Sequence, residues 1–361
     1  MWNAWILRPL GAPILQRYTI TQPKTFIMNH LFLKFLAILT LACPALAHEG
    51  PWTASRPDGH APISVMGDHM HKMGEWMVSY RYMTMDMKGL KKGSSDITKS
   101  QAAALYPMSM MGNMLPQEMT MDMHMLGTMH AISDKWTFMG MVNYLDNEMS
   151  MQSGMKMESS GLSDIKLGGL YELLSTDHGR RAHLNLGLSL PTGSIDEKSG
   201  SNLLGYGMQL GSGTWDFNPA ITFLGQTEDY SWGAQLGGVL RMNDNKQDYN
   251  LGNRLEGSLW GARKITDSIS ASVKFDYLSQ SDLDGEDSRM MMMKTMSSAF
   301  DPKSQGRDLS TLGLGLNYYF QNGGLQGHRI AAEWETPMSQ NVNGVQLELV
   351  SVWTLGWQYA W

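Results

Sequence analysis

From about residue 74 onward the chain is written in alternation, apolar then polar, broken by short turn-like clusters. The last seventeen residues show the pattern most clearly. Val345, Leu347, Leu349, Trp353, Leu355, Trp357, Tyr359 and Trp361 fall on one face, with Ser351 as the single polar break. Gln346, Glu348, Thr354, Gly356, Gln358 and Ala360 fall on the other, with Val350 and Val352 as exceptions. Period-two alternation predicts a strand with one apolar face. A long tryptophan-rich edge of this kind would aggregate in water. It suits the closing strand of an outer-membrane barrel, whose outward face meets lipid and an aromatic girdle.

The same reading predicts strands over residues 74–87, 119–133, 135–147, 161–174, 181–191, 214–226, 230–242, 251–264, 268–279, 310–320, 328–337 and 345–361. Connections alternate in length. Long ones fall at 88–118, 148–160, 192–213, 243–250, 280–309 and 338–344; short ones at 133–134, 175–180, 227–229, 265–267 and 321–327. Segregation of loop length by end marks a membrane barrel, with short periplasmic turns and longer outer loops. The fold expected is all-β: a transmembrane antiparallel up-and-down barrel of about 12 strands (range 10–14), both termini periplasmic, in the bacterial outer membrane. Trp76, Val78, Tyr80 and Tyr82 are expected to face lipid, as are Trp136, Phe138, Val142 and Tyr144. Met119, Met121, Met123, Met125 and Met129 are assigned to lipid as greasy filler, which puts Asp122, His124 and His130 in the lumen.

Composition agrees with export. Lys34, the apolar run 35–42 and Ala45-Leu46-Ala47 describe a secretory signal peptide cut after Ala47. Residues 1–47 are therefore a signal region, with 28–47 the peptide proper and 1–27 an over-extended start or a longer amino-terminal region. Residues 48–73 are expected to be a periplasmic or lumen-facing segment, and 74–361 the barrel. Cys43 lacks the residues of a lipobox before it. The mature chain has no cysteine, so no disulfide framework supports it. No apolar run is long enough for a membrane-spanning helix. Net charge is -6 with no basic stripe, which argues against nucleic acid.

Methionine is the anomaly, 32 residues in 361, and it is clustered. A thioether is a soft, uncharged ligand that suits Cu(I) and needs no deprotonation. Candidate metal ligands are His69, Met70 and His71 before the first strand, Met83 and Met85 on it, and Met108, Met110, Met111, Met114, Met151, Met155, Met291 and Met293 in loops expected at one mouth. His60 lies near the first group, and His48 as a new amino terminus could chelate Cu(II). The competing uses of methionine are flexible core filler and a reversible sink for oxidants. No nucleophile elbow, phosphate-binding glycine loop or HExxH motif is present, so no enzyme is expected and no catalytic residue is assigned.

Ser55-Arg56-Pro57-Asp58-Gly59-His60-Ala61-Pro62, Met66-Gly67-Asp68-His69-Met70-His71, Glu75-Trp76-Met77 and Tyr80-Arg81 resemble a bacterial family labelled only as transporters. So do residues 119–126, 184–195, 209–214 and 355–360. That family is similar to the outer-membrane barrels associated with meta-pathway phenol degradation. The resemblance implies an outer-membrane barrel and supplies neither substrate nor catalytic residues. By composition the Met-rich amino-terminal half also resembles methionine-rich outer-membrane copper-resistance proteins. The function expected is a channel or transporter for small molecules, hydrophobic or aromatic. The alternative is a methionine-rich barrel that binds or exports copper or silver, with Cu(I) as its ligand and no cofactor required. Expected partners are outer-membrane lipid, the barrel-assembly machinery through the C-terminal Trp361, and the small-molecule or metal-ion substrate.

Overall fold

Alternating strands joined by tight turns can hide every backbone polar group from lipid only by closing on themselves, since each unpaired group there costs several kcal/mol. The computed structural model, which describes residues 52–106, 108 and 114–361, is such a closed sheet. Its strands are β1 (Trp76–Gly93), β2 (Pro116–Ser133), β3 (Trp136–Met151), β4 (Lys156–Leu162), β5 (Ile165–Ser175), β6 (Arg180–Leu190), β7 (Asp216–Gln226), β8 (Tyr230–Arg241), β9 (Arg254–Lys264), β10 (Ile269–Gln280), β11 (Arg307–Tyr319) and β12 (His328–Ala360). Each pairs antiparallel with its sequence neighbour. β4 and β5 share one place, pairing with the upper and lower parts of β3 in turn.

β12 closes the ring and is two staves. Residues 329–342 run antiparallel to β11, and residues 342–360 run antiparallel to β1. Going round the sheet, β1 and β11 point in opposite directions, so β12 must reverse between them. It does so at Asn343 and Gly344, the latter with φ of 62°. The ring therefore has twelve staves, in line with the expected number, and the seam is a reciprocal pair: Trp76 N–H donates to Trp361 O at 2.9 Å and Trp361 N–H to Trp76 O at 3.0 Å.

Loop length sorts by end as expected. The connections β2–β3, β5–β6, β7–β8, β9–β10 and β11–β12 are short and share one end. The long segments 191–215, 242–253 and 281–306 share the other. Two expected long loops shrink: 338–344 is strand up to the Asn343–Gly344 turn, and β3 and β4 continue the wall through a tight turn at 152–155. The loop between β1 and β2 carries a helix, α1 (Lys99–Leu105), capped by the Thr98 side chain on Gln101 N–H.

The outward faces of the lower staves carry Trp76, Tyr80, Phe138, Val142, Leu186, Ile221, Val273, Leu316, Ile330, Trp353 and Trp357, all exposed. Aromatic rings gather at the short-turn end, with Trp136 on Tyr171 at 4.8 Å, Tyr318 on Phe320 at 4.7 Å and Tyr359 on Trp361 at 5.2 Å. This is the girdle of a membrane barrel. One expectation is corrected within the closing strand. Asp86 faces Ser351 and Met87 faces Leu349, so Val350 is a bulge. An inserted residue inverts the faces beyond it. Trp353, Leu355, Trp357 and Trp361 therefore point to lipid, while Val345 and Leu349 are buried on the inside.

Candidate functional site: a methionine-lined lumen above a histidine-bearing plug

Residues 52–73 have no regular secondary structure, yet Asp58, His60, Ala61, Ile63, Val65, Asp68, His69, Met70 and His71 are all buried. They lie inside the barrel. The proof is in their hydrogen bonds, which reach inward-facing side chains on strands all round the ring. Arg81 of β1 donates to Ile63 O at 2.9 Å, and His71 N–H donates to Thr137 Oγ1 of β3 at 3.2 Å. His183 and Asn185 of β6 both donate to Gly67 O, at 2.9 and 3.0 Å. Gln235 of β8 donates to Met66 O and Ser270 of β10 to Pro57 O, at 3.0 and 2.8 Å. Arg329 of β12 donates to Ala61 O at 2.7 Å. A segment without secondary structure must find partners for its carbonyls elsewhere, and here the barrel wall supplies them.

An ion cluster fixes the top of this plug. Lys274 Nζ lies 2.8, 2.9 and 3.0 Å from carboxylate oxygens of Asp276, Glu333 and Glu335, and it also donates to Ser64 Oγ. Ser64 N–H donates to Glu333 Oε2 at 2.9 Å.

Above the plug the lumen wall differs by side. Along β1, β2 and β3 the inward positions form six successive cross-strand rows. From the short-turn end they are Met77–Met129–Met139, Ser79–Gly127–Met141, Arg81–Met125–Asn143, Met83–Met123–Leu145, Met85–Met121–Asn147 and Met87–Met119–Met149, the last extended by Met157 of β4. Every row holds at least one thioether. Met70 of the plug packs on Met77 and Met129 and so closes the bottom of this ladder. At the top, Met119, Met149, Met151, Met157 and Met208 form one buried cluster with Leu204, and Met87, Met114 and Met121 pack against it.

The opposite wall is polar. Between plug and loops lie two cavities, of about 410 and 320 Å³, that share Met85 and Arg254 in their linings. The upper one has the methionine cluster on one side and Arg254, Gln280 and Arg307 on the other. The three long loops roof it through a core of Leu203, Tyr206, Tyr249, Leu283, Met290 and Phe300. Asp196 ties them together, pairing with Lys246 and, at 2.6 Å, with Arg289.

Two side assignments from the sequence are overturned. Met119, Met121, Met123, Met125 and Met129 face the lumen, because β2 pairs row by row with the inward methionines of β1. Asp122, His124 and His130 face outward: Tyr82 hydroxyl donates to Asp122 at 3.0 Å, Tyr80 hydroxyl lies 2.7 Å from His124 Nδ1, and His130 stacks on Trp76 at 4.0 Å. The expected ligands divide. Met83 and Met85 belong to the ladder, Met114 and Met151 to the cluster at its top, and Met293 packs against the roof. Met108, Met155 and Met291 are exposed. Met110, Met111 and His48 lie outside the described residues.

His69, Met70 and His71 are in the plug, and their partner from further up the chain is His60. The rings of His60 and His69 are 4.4 Å apart and those of His69 and His71 are 4.9 Å apart. Donor atoms of His60, Asp68 and His69 all lie within 4.8 Å of one another. Asp68 Oδ1 accepts from His69 Nδ1 at 2.9 Å, and Oδ2 accepts from Ala61 N–H at 2.9 Å. Burial works against ionisation of Asp68, but His69 beside it, with His60 and Arg329, outweighs burial and holds the carboxyl below its usual range. Burial and then the Arg329 charge push His60 well down. Burial, followed by the nearness of the His69 ring, lowers His71 to about 3. These two imidazoles are neutral at pH 7, the form that binds metals.

The fold is shared with a solved outer membrane channel from Pseudomonas putida F1, at 9% identity and a TM-score of 0.62, over 82% of this chain and 99% of that one. A Pseudomonas aeruginosa FadL homologue is more distant, at 10% identity and a TM-score of 0.42, over 87% and 99%. No curated protein matches the sequence. Residues 118–336, more than half of the chain, match the model of the family described as "Putative MetA-pathway of phenol degradation". The chain belongs to this family and is a β-barrel of the bacterial outer membrane.

Proposed function

We propose that the barrel is a gated conduit for soft monovalent metal ions, Cu(I) or Ag(I), with its short-turn end and both termini in the periplasm. The methionine ladder carries this reading. Consecutive inward positions on one strand are ~6.6–6.8 Å apart, and neighbours across a row bring Cβ atoms to ~4.5–5.5 Å. Methionine has three flexible torsions, so a thioether can follow a bound ion part of the way to the next row. Sulfur is uncharged and favours soft ions over the Ca²⁺ and Mg²⁺ abundant outside a cell. Plug and loop roof close the ladder at its two ends, so passage requires one of them to move.

A second reading has its own support. The upper cavity sets an apolar methionine wall against Arg254 and Arg307, a combination that fits a small aromatic anion. The family's description, in naming phenol degradation, points the same way.

Flux into proteoliposomes separates the two. The metal reading expects Ag(I) entry above that of empty vesicles and no matching entry of phenol or benzoate. Entry of the organic solutes with none of Ag(I) would overturn it in favour of the second.

A further inference from the structure

The plug holds a group of donors that neither the ladder nor the barrel wall uses. We propose that His60 and His69, with Asp68 and His71 around them, bind one borderline divalent cation, of Zn(II) or Cu(II) chemistry, inside the plug. His60 Nδ1, His69 Nε2 and His71 Nε2 are buried and have no hydrogen-bond partner. A buried nitrogen left without a partner is destabilising, and three in one place demand a reason.

Their surroundings supply it. Asp68 Oδ1 accepts a hydrogen bond from His69 Nδ1, which leaves the Nε2 lone pair free and aimed away from the carboxylate. Glu75 Oε2 stands 3.4 Å from Nδ1 of the His71 ring. A carboxylate behind an imidazole is how proteins orient histidines toward metals. Donor atoms of His60, Asp68 and His69 already lie within 4.8 Å of one another and the His60 and His69 rings are 4.4 Å apart, so small side-chain movements bring the two imidazoles to bonds of ~2.0–2.1 Å about one ion, with Asp68 behind them. His71 is one ring further on and can complete the set.

Arg329 and Arg81 approach the pocket from β12 and β1, and the Asp68 carboxyl beside the His69 ring is the acidic group set against them. Imidazole nitrogen is a borderline donor and selects Zn(II) or Cu(II), whereas the thioethers of the ladder select Cu(I). The two sites are therefore independent, and divalent binding in the plug would stand even if the ladder conducted nothing. Such an ion would join residue 60 to residue 69 and hold together the part of the plug that Arg329 grips through Ala61.

The test uses untagged full chain refolded in detergent after chelation. Calorimetric titration with ZnCl₂ is expected to give one ion per chain. His60→Gln and His69→Gln should weaken binding by at least about 100-fold, Asp68→Asn by about 10–100-fold as for an outer-shell partner, and His130→Gln on the outer face should change nothing. Heat-modifiable migration on gels shows that each variant is folded. Cu(II) electron paramagnetic resonance on the unaltered protein adds a reading free of variants, with coupling to two or more imidazole nitrogens expected. No stoichiometric Zn(II) binding, unchanged affinity in the His60→Gln/His69→Gln double variant, or a Cu(II) spectrum without imidazole coupling would each overturn the proposal.

Discussion

Arg329 reaches from the closing strand into the lumen and donates through Nη2 to the main-chain oxygen of Ala61 at 2.7 Å. The same guanidinium bonds Asn317 at 3.1 Å and Gln358 at 2.6 Å, so it joins the plug to two neighbouring staves besides its own. A hydrogen bond to a charged group contributes ~1.5–3 kcal/mol. Arg329→Met should therefore free the plug by that order while the barrel stays closed. The expected result is faster proteolysis within residues 52–73 and greater ion conductance in planar bilayers, with heat-modifiable migration retained.

The upper methionine row offers a test that separates chemistry from shape. Leu and Met have similar volume, and such swaps in a core cost less than about 1.5 kcal/mol. Replacing Met87, Met119, Met149 and Met157 by Leu should leave thermal stability close to that of the parent. It should lower Ag(I) flux into proteoliposomes by at least about tenfold if sulfur carries the ion. Equal flux in the two proteins would remove the thioether ladder as a path.

Gly356 is where the closing strand makes room for the plug. A Cβ there would stand 2.5 Å from Cγ1 of Ile63, well inside contact distance. Gly356→Ala should unseat the plug at a cost of ~1–3 kcal/mol, the range for overpacking. Adding Ile63→Ala should restore it. Comparing protease protection of residues 52–73 in the two single variants and the double variant gives the coupling directly.

The roof carries a dependence on pH. The hydrogen bond from Lys246, and then that from Arg289, hold the Asp196 carboxyl below its ordinary range. The folded loop therefore keeps this group ionised where a freed loop would protonate it. Its contribution to a closed roof is fully present above the ordinary carboxylate pKa of ~3.9 and is lost as pH falls through the lowered folded value. Conductance should be flat from pH 7 to pH 5 and rise only in stronger acid. Asp196→Asn should show the raised level at every pH.

Alternation in the sequence carries the number of staves, the sorting of loop lengths and the lipid face of β1, because each follows from local spacing. Which face of β2 is inside does not follow from spacing. Methionine is apolar and reads as lipid-facing, but this lumen is lined with sulfur, so the outward side of β2 is the one with Asp122, His124 and His130. The Val350 bulge left a trace, the polar Ser351 between Val350 and Val352, but a period-two reading takes these as exceptions and not as an exchange of faces. His60 meets His69 only because the plug folds back on itself in the space that the barrel wall encloses. No periodicity records that. The signal was chemical: a histidine pair flanking a methionine, with an aspartate before it and another histidine a few residues upstream.

The plug stands immediately before β1 in the chain, and the seam that closes the cylinder joins β1 to the end of β12. Ile63 bonds across to Arg81 on one lip of that seam, and Ala61 and Ser64 bond to Arg329 and Glu333 on the other stave of the closing hairpin. The segment is thus a mandrel as well as a stopper. Each bond it makes to the last hairpin is available only when the two edges of the sheet stand together, so the seated segment and the shut seam stabilise one another.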